Sequence, residues 1–167
     1  MGSLCAIAAF LVSSRGYDLA DEVTGYVAGI SSFGVALIPS LNPRGGPYTQ
    51  LQLQTALVHS AFAGVMFLAL AYFCMVLFRK TSPGRRITRR KLHRNRIYFA
   101  CGVVILLCDA GMAILAIPAV AQRFWHDRPL LMFETLALIA FGIAWLTKGN
   151  GILRDQPLEG AEQECSG

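Results

Sequence analysis

A basic segment lies in the middle of this chain, between two apolar segments that are each long enough to cross a membrane. The basic segment, Arg79–Arg96, contains nine of the fifteen Lys and Arg residues and no Asp or Glu. Apolar sequence precedes it from about Thr55 to Phe78 and follows it from Ile97 to about Ala121. In polytopic membrane proteins, short loops rich in Lys and Arg stay in the cytoplasm. The pattern therefore predicts an integral membrane protein with a cytoplasmic basic loop.

The composition agrees with this interpretation. Hydrophobic residues make up 54% of the chain, and the mean hydropathy is +0.50. They are grouped in runs separated by short polar joints, which is typical of membrane helices. The rest of the chain contains six Lys and Arg residues and ten Asp and Glu residues. The positive net charge of +5 therefore comes from the basic segment alone. The sequence therefore predicts the lipid bilayer as a partner and no nucleic acid.

Five apolar runs predict an all-α, polytopic transmembrane helix bundle. The first run, Gly2–Ser13, would form a helix of about 18 Å, against a hydrocarbon core of about 30 Å. We interpret it as a truncated helix, so that the bundle has five helices, or six with upstream sequence. The other runs are Val23–Leu41, Thr55–Phe78, Ile97 to about Ala121, and Leu130 to about Thr147.

The predicted bundle occupies residues 1–151, and residues 152–167 form an acidic tail. The tail has few apolar residues, which predicts a flexible segment. A cytoplasmic basic loop also places the polar joint Ser14–Glu22 and the tail in the cytoplasm. We expect the protein in a bacterial inner membrane.

Small residues recur along the second run, at Gly25, Gly29, Ser32 and Ala36. This spacing puts them on one face of a helix. A stripe of small residues lets two helix backbones approach closely. We therefore expect a neighbouring helix to pack on this face.

Three ionisable side chains interrupt the apolar runs: His59, Asp109 and Glu134. A charge at the bilayer centre costs about 2.5–3.5 kcal/mol on insertion scales, so such groups usually face a bundle interior. We predict that the three residues form a polar interior that opens to the outer side, with Asp109 at its floor. His59 and Glu134 would be hydrogen-bonded partners there. They would either bind a ligand or respond to protons, or act as a clasp that fixes the order of the helices.

Two residues at the end of the fifth run have the character of interfacial anchors. Trp145 prefers the depth of the lipid headgroups, and Lys148 can extend its ammonium to the same depth. Lys148 also complements the negative end of a helix.

The cysteines and histidines do not form a recognisable metal-binding pattern. There are five cysteines and no C-x-x-C pair, and Cys101 and Cys108 are spaced to lie on one helix face. We expect them to pack between helices, without a disulfide. With three histidines and no H-x-x-x-H or H-E-x-x-H, we predict no metal site and no cofactor.

Four motifs carry a resemblance to known proteins: Arg15–Asp18, Gly34–Pro39, Leu70–Phe73 and Phe141–Gly149. With them, residues 4–155 resemble a group of small bacterial multi-helix membrane proteins. That group is distantly similar to the Frag/DRAM/Sfk type of six-helix membrane protein. The resemblance implies a helix bundle with further helical sequence upstream, and it implies no particular activity.

A second resemblance is to the alkaline ceramidase and progestin-receptor-like membrane hydrolases. That resemblance implies a zinc site of three histidines with Asp and Ser. His59, Ser60 and Asp109 are similar in kind to part of this set, whereas the two later histidines are missing and Glu134 stands in the fifth run.

Together these features favour a non-enzymatic integral membrane protein. It would bind a lipid or other apolar ligand, or serve as an accessory subunit of a membrane complex, with other subunits or copies of itself as partners. The alternative is a metal-dependent hydrolase acting on a lipid amide or ester, with His59, Asp109 and Glu134 in its site.

Overall fold

The computed structural model of the protein describes residues 2–13, 18–41, 47–80, 89–117 and 129–149. These residues form five helices and no strand, which confirms the predicted all-α bundle. The helices are α1 (Gly2–Ser13), α2 (Leu19–Leu37), α3 (Gln50–Tyr72, continued by a π-helical turn at Phe73–Leu77), α4 (Arg89–Leu115) and α5 (Pro129–Lys148). The predicted acidic tail, residues 152–167, lies outside the described residues.

Three of these helices are long and apolar enough to cross a membrane: Gln50–Leu77, Arg89–Leu115 and Pro129–Lys148. The protein is thus a membrane-embedded helix bundle. Helix α1 is apolar but short. Helix α2 has 19 residues and carries Asp21 and Glu22 in its first turn, and it is not among the candidate spans. Length and composition therefore support three of the five predicted membrane spans, and the other two stay predictions.

Helix α2 begins earlier than the predicted Val23. The Asp18 carboxylate accepts a hydrogen bond of 3.1 Å from the backbone N–H of Asp21, which makes Asp18 the N-cap. Negative side chains in a first turn also interact favourably with the positive end of a helix. Residues Leu19 to Glu22, with the acidic Asp21 and Glu22, thus belong to the helix. It ends at Leu37, before the predicted Leu41, because Pro39 disfavours helical backbone at the residue before it.

Helix α3 likewise begins at Gln50, ahead of the predicted Thr55. A capping box explains the difference: the Gln52 backbone N–H donates to the Thr49 hydroxyl at 3.3 Å, and the Thr49 N–H donates to the Gln52 side chain at 2.9 Å. Together the two bonds satisfy two donors that a helix start leaves unpaired. The predicted end at Phe78 lies one residue beyond the π-helical turn.

Helix α4 corrects the prediction of a basic loop that extends to Arg96. The helix begins at Arg89, so the second half of the basic segment is helical. No Pro or Gly follows Gly84 within that segment, and Arg and Lys are good helix formers. The helix ends at Leu115 rather than near Ala121. Helix α5 agrees with its prediction to within one residue at each end.

Consecutive helices pack on each other, α1 on α2, α2 on α3, α3 on α4, and α4 most extensively on α5. The basic end of the bundle comprises Arg79, Lys80, Arg89–Arg96 and Lys148. Lys80 pairs there with Asp18 at 2.8 Å, so the start of α2 meets the end of α3. Between the ends, a core of buried apolar side chains joins α3, α4 and α5, including Phe67, Leu70, Tyr98, Ile105, Ala137 and Ala144.

The stripe of small residues on α2 is buried, and Gly29 within it packs against α1. Gly25, Gly29, Ser32 and Ala36 are all buried. A Cβ atom added to Gly29 would lie 3.0 Å from the Ala8 carbonyl oxygen and would collide with the Val12 side chain. The close approach of α1 and α2 therefore depends on the missing side chain at position 29.

This contact predicts the effect of two glycine substitutions. Gly29→Ala should lower the free energy of unfolding by about 1–3 kcal/mol, the usual cost of overpacking. Gly142→Ala is the matched control, because a Cβ atom there meets nothing within 4 Å. It should instead stabilise α5 by about 0.5–1 kcal/mol. Denaturation in mild detergent measures both, and equal destabilisation by the two substitutions would contradict this account of the α1–α2 contact.

Candidate functional site

His59 joins α3 to the end of α2. Its Nδ1 atom lies 2.7 Å from the carbonyl oxygen of Ile38, the C-cap residue of α2. Since a carbonyl oxygen only accepts, Nδ1 carries the proton in this bond, and Nε2 is left as the second polar atom. His59 thus satisfies one of the carbonyl groups that a helix end leaves without an intrahelical donor.

Asp109 lies on α4, and its carboxylate faces α3 at a glycine. A Cβ atom added to Gly64 would be 3.9 Å from Asp109 Oδ1. Asp109 is six residues from the end of α4, or about 9 Å at 1.5 Å per residue. Asp109 is thus nearer to the end of α4 than to its middle, and its predicted place at the floor of a polar interior stays a prediction.

Glu134 lies on α5, where that helix contacts α4. The neighbouring Phe133 ring would be 3.0 Å from a Cβ atom added to Gly111, two residues beyond Asp109. The facing helices thus carry Asp109 and Glu134 at similar levels. Glu134 also interacts electrostatically with His59.

The structure thus brings the three predicted residues to one half of the bundle but does not join them by direct bonds. In the described ranges, the His59 ring bonds to Ile38, and neither Asp109 nor Glu134 accepts a hydrogen bond. The predicted direct bond between His59 and Glu134 is therefore not formed. Whether the three residues bind a ligand stays a prediction.

Among the residues that the structure describes, no group of three or more His, Cys, Asp or Glu side chains is arranged to hold a metal ion. Cys5, Cys74, Cys101 and Cys108 are free thiols, and the last three are buried between helices. Cys165 lies outside the described residues.

A cavity lies between α1 and α5, with α2 and α3 completing its wall. It has a volume of about 340 Å³ and is partly open to the outside. Its wall is almost entirely apolar, and the hydroxyl of its one polar residue, Ser32, donates to the Ala28 carbonyl oxygen of its own helix at 2.8 Å. The lining residues are Leu4, Ile7, Phe10, Leu11, Ser32, Met66, Leu70, Leu138, Phe141, Gly142, Trp145 and Leu146.

An aromatic cluster lies between this cavity and the basic end. The Trp145 ring contacts Phe10 edge-on at a centroid distance of 5.3 Å and Phe78 at 5.5 Å. Phe141 adds a third contact to Trp145 at 5.7 Å. The cluster is continuous with the buried core, because Phe78 packs edge-on against Tyr98 at 5.6 Å. Trp145 thus packs within the bundle as well as near the end of α5. Its predicted role as an interfacial anchor stays a prediction.

The basic end holds a second group of polar residues, built around Arg94. Arg94 is buried, and its guanidinium donates to the Tyr98 hydroxyl and to the Lys148 carbonyl oxygen, each at 3.3 Å. The Lys148 ammonium lies 5.8 Å above the Phe78 ring. Sequence reasoning missed this arrangement, because it treated Arg94 as part of a loop and Lys148 as an isolated anchor.

Lys80 connects this end to α2. Its ammonium donates to Asp18 at 2.8 Å and to Asp21 at 3.0 Å. The hydrogen bond from Lys80 lowers the pKa of the Asp18 carboxyl from its ordinary value of 3.8. The same bond raises the pKa of the Lys80 ammonium. Both groups are therefore charged and paired over the whole neutral range.

Comparison with known proteins adds no assignment: no protein-family model, curated protein or solved structure matches this chain. The resemblance to the small bacterial membrane proteins of Frag/DRAM/Sfk type stays a prediction, as does the bacterial inner membrane.

The contact of His59 with Ile38 predicts a graded response to substitution. His59→Leu should lower the free energy of unfolding by about 0.5–1.5 kcal/mol through loss of the hydrogen bond. His59→Asn should retain most of the stability, because the Asn side-chain amide can place a donor near the position of Nδ1. Thermal unfolding of both variants in the same detergent checks this. If the two variants unfold at the same temperature, the bond to Ile38 does not stabilise the bundle.

The pair of Asp18 and Lys80 predicts a dependence of stability on pH. A carboxyl group with a lowered pKa contributes stability that is fully present above its ordinary pKa of 3.8 and is lost as the pH falls through the lowered value. The wild type should therefore be more stable than Asp18→Asn at pH 7 and lose that advantage in acid. Asn also caps helices well, so this comparison isolates the charge. A difference in melting temperature that is constant from pH 7 to pH 3 would contradict the prediction.

Proposed function

We propose that this membrane helix bundle holds a lipid chain, or another apolar ligand of similar shape, between α1 and α5. The observation that supports the proposal is the apolar cavity of about 340 Å³. That volume is at the lower end of the range of ligand pockets, about 300–1,000 Å³. A narrow, unbranched chain suits such a site better than a bulky ring system does.

The chemistry of the wall supports an apolar ligand over a polar one. Its single hydroxyl, at Ser32, already donates to its own helix, so a polar ligand would gain no free partner from it. Burying an unpaired polar group in this wall would cost free energy, whereas an apolar chain has no polar group to leave unpaired. In a bilayer, the competing occupant is another lipid chain, so selectivity has to come from shape and from groups beyond the cavity.

The proposed placement in the membrane follows from the charges. The basic end would lie in the cytoplasm, as expected for short segments rich in Lys and Arg. The opposite end, with the starts of α3 and α5, would then face the other side. The interpretations as an accessory subunit and as a metal-dependent lipid hydrolase remain predictions.

A substitution that fills the cavity tests the proposal. Gly142 lines the cavity, and a Cβ atom added there meets nothing within 4 Å. Gly142→Leu should therefore place a side chain in the cavity, starting from a Cβ atom that meets no neighbour. Ala113→Leu is the control, because Ala113 is exposed on α4 and does not line the cavity.

The measurement uses Trp145, which lines the cavity, as a fluorescent reporter. In a Trp125→Phe background, Trp145 is the only tryptophan of the chain. After reconstitution into vesicles of phosphatidylcholine with brominated acyl chains, contact with a chain quenches its fluorescence. We expect Gly142→Leu to reduce the quenching severalfold and Ala113→Leu to leave it unchanged. Quenching that is equal in all three proteins would overturn the proposed function.

A further inference from the structure

Two cations of the basic end, Lys91 and Arg94, lie near Lys148 at the end of α5, next to the aromatic cluster. Lys91 and Arg94 lie close enough to Lys148 for their charges to repel it, while Asp21 attracts it. Lys91 is fixed from the other side, since its ammonium donates to the Lys80 carbonyl oxygen at 3.1 Å. Helices α4 and α5 thus both contribute to one concentration of positive charge.

Lys148 is the member of this group that is open to a ligand. Its side chain is half-buried, and its ammonium forms no hydrogen bond or ion pair with any of the described residues. Its contact is the Phe78 ring at 5.8 Å. A half-buried ammonium beside two further cations is an unfavourable arrangement that a bound anion relieves, and the Asp21 carboxylate, which attracts Lys148, is shared with Lys80.

The position of Lys148 relative to the cavity indicates what the anion is attached to. Lys148 lies three residues after Trp145, so both are on the same face of α5. Trp145 lines the cavity, and its ring contacts Phe78 at 5.5 Å. Phe78 in turn lies below the Lys148 ammonium. One aromatic side chain therefore separates the apolar cavity from the cationic group.

We propose that the ligand of the α1–α5 cavity is an anionic phospholipid, whose chain lies against Trp145 and whose headgroup phosphate binds Lys148, with Lys91 and Arg94 supplying further positive charge. This rests on the proposed function, because the chain site is the same cavity. The guanidinium of Arg94 is held by Tyr98 and by the Lys148 carbonyl oxygen, so its charge is fixed in place before a ligand arrives. Preorganised cations cost less to order on binding than mobile ones.

The experiment measures lipid preference by the quenching of Trp145 in the Trp125→Phe background. Vesicles of unlabelled phosphatidylcholine receive increasing fractions of brominated phosphatidylglycerol or brominated phosphatidylcholine. The ratio of the two half-quenching fractions gives the preference for the anionic headgroup. We expect the wild type to prefer phosphatidylglycerol, and Lys148→Gln to reduce this preference about fivefold, the effect of one cation near a membrane surface.

Two variants control for general charge and for folding. Arg96→Gln removes the same charge from an exposed position on α4 and should keep the preference. Lys148→Arg keeps the charge and should restore it. If Lys148→Gln and Arg96→Gln reduce the preference equally, the bundle attracts anionic lipid over its whole basic surface, and the site proposed here is wrong.

Two further measurements complete the experiment. The first distinguishes a lipid headgroup from free phosphate, and the second tests the chain site and the headgroup site independently. Inorganic phosphate added to the vesicles should not abolish the preference, because it lacks the chain, and complete competition would assign the cations to a free anion. If Gly142→Leu prevents quenching by both lipids while Lys148→Gln leaves the preference intact, the proposed function stands and the headgroup site falls. If Gly142→Leu has no effect, the chain site falls, and a preference lost in Lys148→Gln alone would still support the anion site.

Discussion

The bundle depends on the exclusion of charge from the apolar length of its helices. Between the basic end and the residues near the opposite end, the helix surfaces are apolar, and the cations gather where α3 ends and α4 begins. This distribution lets the chain reverse direction through polar segments without placing charge among the apolar side chains. The pairing of Lys80 with Asp18 and Asp21 then fixes the start of α2 beside the end of α3. The same exclusion explains why the buried Arg94 is hydrogen-bonded: a buried charge is costly unless polar atoms surround it.

The sequence predicts the helices well where apolar character alone decides their extent. Helices α1 and α5 agree with their apolar runs to within one residue, and the spacing of small residues on α2 predicts its close contact with α1 at Gly29. The prediction fails where polar residues extend a helix. Asp18 and Thr49 are N-caps whose side chains stabilise a helical turn that hydropathy assigns to a joint. Arg89–Arg96 can form a helix or a loop, and its charge alone does not distinguish the two.

The candidate site is less predictable, because it depends on distances between helices that are far apart in sequence. His59 is an expected interior residue, yet its bond goes to the Ile38 carbonyl oxygen, a backbone group at the end of another helix. The cavity is lined by Gly142 and its neighbours on α5 together with residues of α1, and the spacing of residues within α5 does not reveal how far away α1 lies. For the predicted anchors Trp145 and Lys148 too, the sequence does not predict which residues of other helices they contact. Their sequence position indicates a helix end near the headgroups, whereas their contacts with Phe10 and Phe78 follow from the packing of α1 and α3.

These contacts give the end of α5 two different neighbours within one helical turn. At Trp145 the helix borders apolar space, and at Lys148 it borders cations that repel one another. An apolar chain alone would occupy the cavity without reaching the Lys148 ammonium, whereas a small anion would bind the ammonium and leave the cavity to another chain. A molecule with both parts, joined over the distance of roughly one helical turn, about 5 Å, satisfies the two together. Phospholipids have this construction. They also form the bilayer that three helices of this protein are long and apolar enough to cross.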